Sequence, residues 1–178
     1  MRRIQVSRTY LLMGDYQSAL RTSIVSSADA DIEALALTAL GRRAEAIARL
    51  RQEEQKDTLF THIRSWFCSL RALLEGKHSE SLDAINEIIG RFGGPEARYR
   101  FAEQLAGLGQ TQHALAMLCE AVEGGFFCYP GIVRDPWFDP LRTNPEFILI
   151  SGRARERHEK ALVAFNEVGG REIVGIRR

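Results

Sequence analysis

Four times along the chain a glycine closes an apolar helical run and a second run starts at once, in "LLMGDYQSAL", "ALGRRAEAI", "LLEGKHSESL" and "GLGQTQHAL". Five residues after these glycines stand Ala19, Ala46, Ser81 and Ala114, and seven residues before them stand Ser7, Ala34, Ser69 and Ala102. Three slots in fixed register across four copies mark an internal repeat, which constrains the fold more than any other feature. Two antiparallel helices approach closely only where the facing side chains are small, and a tight turn between them favours Gly, which tolerates positive φ. Larger residues flank the slots: Tyr10, Leu37, Ala72 and Leu105 three after the first small position, and Leu50, Ile85 and Leu118 four after the second, with Ser23 the weak copy.

This pattern resembles the tetratricopeptide repeat, a helix-turn-helix of about 34 residues with W-x2-L-G-x2-Y followed by A-x3-F. The glycine spacings are 41−14=27, 76−41=35 and 109−76=33, so two fit the period and the first falls about seven residues short. The shortfall is placed in the second helix of the first unit, which is expected to run from about Gln17 to Ser26 before "SSADAD" supplies a new start with capping Ser and Asp. The Trp slot holds Arg3, Ala30, Ser65 and Arg98, and Glu33 occupies an apolar slot. The resemblance implies an all-α, right-handed α-solenoid of about four hairpins, at 1–26, 27–60, 61–94 and 95–125, plus a C-terminal capping helix. It is similar to the tetratricopeptide segments that end large bacterial signalling proteins, behind a kinase, cyclase or winged-helix domain.

After Glu123 the pattern changes. "GGFFCYPGIVRDPWFDPLRTNPEF" reads as a Pro- and aromatic-rich capping connection over 126–144, with helix starts expected at Asp135-Pro136, Asp139-Pro140 and Asn144-Pro145. Trp137, Phe138 and Leu141 are expected to close the last hairpin near Leu118 and Val122, with Trp137 as an exposed ligand anchor the less favoured reading. A long helix follows from Pro145 to Val168, carrying Phe147, Ile150, Ala154, Ala161, Leu162 and Phe165 at three- and four-residue steps, within a last segment of 145–178.

The faces of the first helices carry the functional expectation. Residues spaced i, i+4, i+7 beside the packing face line the concave surface of such solenoids. They are Ile4, Arg8 and Leu11, then Asp31, Leu35 and Thr38, then Trp66, Leu70 and Leu73, and finally Tyr99, Glu103 and Ala106. Arg8, Trp66, Leu70, Leu73, Tyr99 and Glu103 are the groove candidates for a protein or peptide partner, with Trp66 and Tyr99 as aromatic anchors. Packing of Trp66 against a neighbouring helix is an equal alternative. A structural spacer or dimerisation role is the other functional reading. The first helix lacks a preceding repeat, which would leave Val6, Tyr10 and Leu11 open to self-association as a homodimer.

Charge and chemistry narrow the classes. Twenty-four Lys and Arg against 23 Asp and Glu leave a net charge of +1, with no global field toward nucleic acid or an anionic membrane. The basic start lacks the apolar core of a signal peptide, and no run approaches the roughly 20 apolar residues of a membrane span. Cys68, Cys119 and Cys128 form neither a disulfide framework nor a metal pair, so a reducing, cytoplasmic setting is expected. His62, His78, His113 and His158 are scattered, without a nucleophile-base spacing, and the glycine pairs fall at helix ends. No enzymatic role, metal or cofactor is expected. The Lys, Arg and Asn set of a carboxylate clamp is not found on the first helices. "RARERHEKA" mixes signs as a solvated face does.

Overall fold

The four repeat glycines take the left-handed conformation, with φ of 77° at Gly14, 76° at Gly41, 75° at Gly76 and 73° at Gly109. At each, the glycine N–H bonds the carbonyl three residues back, and the following N–H reaches the carbonyl five residues back: Asp15 to Tyr10, Arg42 to Leu37, Lys77 to Ala72 and Gln110 to Leu105, at 2.8 to 3.0 Å. This paired bonding satisfies helix-end carbonyls and reverses the chain, and it requires a residue that accepts positive φ. One turn geometry is thus repeated four times.

In the computed structural model of the chain, residues 6–23 and 29–170 are described; the expectations that fall on Arg3, Ile4, Ser26 and the tail from Arg171 lie outside them. The described residues are helical, without a strand. Helix α1 (Val6–Met13) pairs with α2 (Tyr16–Ser23), α3 (Ala30–Ala39) with α4 (Arg43–Glu54), α5 (Thr61–Leu74) with α6 (His78–Ile88), and α7 (Pro95–Gly107) with α8 (Thr111–Glu123). Successive pairs pack through α2 on α3, α4 on α5 and α5 on α7. All eight small slot residues are buried. In the third pair the slots touch directly, where the Ser81 hydroxyl donates to the Ser69 carbonyl at 2.7 Å.

The chain then runs through α9 (Tyr129–Arg134), a 3₁₀ helix (Pro136–Leu141) and α10 (Pro145–Glu167). Two of the expected starts are capped as the sequence implies. Asp135 accepts from the Trp137 N–H at 2.9 Å, and Asn144 accepts from Glu146 at 2.8 Å and Phe147 at 3.4 Å. The expected start at Asp139-Pro140 is corrected: Pro140 lies inside the 3₁₀ helix, and Asp139 accepts from Arg142 instead. Phe147, Ile150 and Ala154 bury the first half of α10, while Leu162, Val163, Phe165 and Val168 toward its end are exposed.

Two apolar clusters hold the pairs together. One joins Leu35, Leu50, Phe67 and Leu70; the other joins Leu105, Leu118, Phe138 and Phe147, and both Trp66 and Trp137 pack against each. Helix α1 also packs on α9, far along the chain. A Cβ placed on Gly131 would stand 3.2 Å from the Leu12 side chain, so this approach is close. Val6 stays exposed, while Tyr10 and Leu11 are half-buried.

Candidate functional site

The segment that follows α8 covers the face of α7 on which two of the groove candidates lie. Tyr99, expected as an exposed anchor, is fully buried: its hydroxyl donates to Asp135 Oδ2 at 2.7 Å, and its ring stacks on Phe126 at 4.3 Å. Glu103 is buried too, accepting from Arg100 Nη1 at 2.6 and 2.9 Å. Leu70 and Leu73 belong to the apolar clusters. These four groove expectations are therefore corrected to interior positions, since neighbouring side chains of the chain itself cover them. Burial pushes the Glu103 carboxyl well above the usual carboxylate range, the Arg100 charge opposes it, and Asp135 adds to the rise. Burial likewise raises the Tyr99 phenol, with Glu103 and Asp135 adding to it.

What stays open is a groove of about 650 Å³, within the range of ligand sites. Trp66 on α5 lines it and also meets Phe101 of α7 edge-on, with ring centroids 5.1 Å apart. The packing reading of this tryptophan is met, and part of its surface borders the groove. Phe92 approaches Trp66 at 5.2 Å, and Leu59 and Ile63 extend the apolar wall. Phe92 and Arg91 come from "GRFGGP", the connection between α6 and α7, which the sequence reading passed over. An aromatic side chain set among three glycines was the available signal. Arg8 borders the groove from α1, paired with Glu96 at 2.5 Å and Asp31 at 3.8 Å.

At the base lies Arg100, 4% exposed. Its Nη1 is taken by Glu103, and its guanidinium carbon stands 5.4 Å from the Tyr99 ring centroid. Nε and Nη2 of this side chain have no hydrogen-bond partner among the described residues, and neither has Gln104 Oε1. Arg100 and Gln104 also border a void of about 10 Å³ beneath the groove, beside Trp66 and Leu70.

The other expected sites resolve into structure. Phe138 and Leu141 are buried in the cluster that contains Leu118 and Val122, as the capping reading implies. Trp137 is half-buried and lies against Gly107 at the end of α7. Cys68 receives a bond from Arg71 Nη2 at 3.3 Å, and burial, with Glu54 adding, pushes its thiol up, away from thiolate chemistry. Arg71 itself ties three elements together, bonding Glu54 at 2.8 Å, Glu75 at 2.9 Å and Glu80 at 2.6 Å. Among the described residues no group of three or more His, Cys, Asp or Glu side chains could hold a metal ion, and no helix is long and apolar enough to cross a membrane.

Comparison of the chain with protein-family models, with curated proteins and with solved structures finds no match. The groove's own geometry carries the functional reading.

Proposed function

We propose that the chain is a tetratricopeptide-like right-handed superhelix of four helical hairpins, closed by its C-terminal helix, that binds a protein or peptide partner. The repeated left-handed glycine turns and the eight buried small slots support the family reading. One observation carries the binding role: the open groove walled by Leu59, Ile63, Trp66 and Phe92, an aromatic cleft that the chain's own side chains leave unfilled. Aromatics in such a position dominate interface energies more often than their share of the surface suggests. The test is partner capture with the chain as bait, against Trp66→Ala with Phe92→Ala. Loss of the captured partner from a variant that keeps its helical content is expected. Retention of the partner would place binding elsewhere.

A second reading, a spacer or dimerisation module of a longer regulatory protein, draws on the exposed Leu162, Val163, Phe165 and Val168 near the end of α10. Sedimentation equilibrium separates the two: association without ligand, abolished by Phe165→Glu, would favour this reading.

A further inference from the structure

Resting on the peptide-binding reading, we infer that the groove takes a carboxylate held by Arg100, set beside a large apolar group that packs on Trp66 and Phe92. A guanidinium is always charged and carries five N–H donors in a fixed fork suited to bidentate recognition of a carboxylate. Here the fork is buried, Nη1 is occupied by Glu103, and Nε and Nη2 have no acceptor among the described residues. Buried donors left unmatched cost free energy, and more when the group is charged, so an incoming acceptor recovers that loss.

The surroundings favour an anion. Three arginines, Arg8, Arg91 and Arg100, line the groove against two carboxylates, Asp31 and Glu96. Both carboxylates are engaged by Arg8, and Arg91 stands exposed at the edge with no ion pair among the described residues. Burial drives Glu103, the carboxyl bound to Arg100, toward its neutral form, while the surroundings, Asp31 included, hold the guanidinium in its charged form. An apolar cleft with one cationic group at its base is a site for a group that is apolar at one end and anionic at the other. An acidic residue beside an aromatic one in a peptide has that chemistry.

N-acetyl-phenylalanine carries both features on one small molecule, and N-acetyl-phenylalaninamide carries only the ring. Titration of each into the intact chain, followed by NMR at the Trp66 indole and Arg100 Nε–H resonances, reads the two parts separately. Saturable binding of the acid, roughly tenfold tighter than the amide, is expected from one charge-assisted pair. Arg100→Met should abolish the preference and leave the two ligands equally weak; the acid-to-amide ratio on the unaltered chain tests the site even if that variant fails to fold. Equal binding of acid and amide would overturn the carboxylate site while leaving the apolar groove reading in place. Binding of neither would overturn both, and inorganic phosphate binding as tightly as the acid would overturn the assignment to a carboxylate.

Discussion

The Trp137 ring lies so close to Gly107 that a Cβ added there would stand 2.6 Å from ring atom Cζ3 and 3.3 Å from the Leu73 side chain. At the end of α7, this glycine lets the 3₁₀ segment lay its tryptophan against the helix. Ala in place of Gly in a helix usually stabilises by about 1 kcal/mol. The clash reverses that sign. Gly107→Ala is expected to destabilise by about 1 to 2 kcal/mol net, since overpacking costs about 1 to 3 kcal/mol, and to red-shift Trp137 fluorescence as the ring is displaced. A chain that melts above wild type would show that the ring yields without cost. Phe138→Ala, at a fully buried position in the cap, should cost about 3 to 5 kcal/mol, and half-buried Trp137 less.

The small slots admit a graded test in the third hairpin. Ser81→Ala removes the donor to the Ser69 carbonyl but keeps the close helix contact, so a loss of about 1 kcal/mol is expected in urea unfolding. Ser81→Leu forces the helices apart and should cost more, about 1 to 3 kcal/mol from overpacking added to the lost bond. Equal losses for the two variants would mean that the hydrogen bond, rather than residue size, governs this slot.

How much of this could be read from the chain follows from what each signal encodes. Gly76 and Ser81 announce a turn and a contact that depend only on local geometry, so their register in the sequence is their register in space. Asn144-Pro145 is legible for the same reason. Tyr99 and Glu103 are not. Helical periodicity places them on one face of α7, but their burial depends on the segment after α8, which sets Phe126, Asp135 and Phe138 against Tyr99 and Asp135 beside Glu103. Arg100 had a partial signal, because an Arg three residues before a Glu inside the apolar "YRFAEQLA" suggests a buried pair. That Nε and Nη2 stay unmatched is a property of the assembled groove alone.

Acid stability should depend on Glu75. Burial raises its carboxyl, but hydrogen bonds from Lys77 and Arg51 and the charge of Arg71 outweigh this and hold it down at about 2. A depressed carboxyl stabilises the fold above its unfolded value of about 4.5, and that contribution is lost as the pH falls toward 2. Melting temperature of the wild type should therefore drop across this window more steeply than that of Glu75→Gln. Parallel acid limbs for the two proteins would show that the ion network at α4, α5 and α6 contributes nothing to acid sensitivity.

Glu103 should act with the opposite sign. Its carboxyl is raised in the fold by burial and by Asp135, against the pull of Arg100, so the folded state holds a proton that the unfolded chain releases above about pH 4.5. The stabilisation is fully present below that pH and fades as the pH rises through the folded value. Glu103→Gln keeps the shape and an acceptor for Arg100 without the titration. Its melting temperature relative to wild type should increase steadily as the pH rises above about 4.5, where the unfolded chain has released the proton that the folded carboxyl still holds. A difference that stays constant across that range would mean that Glu103 is ionised throughout and balances Arg100. In that case the NMR preference of the groove for N-acetyl-phenylalanine over its amide should also vanish, because the guanidinium charge would already be met.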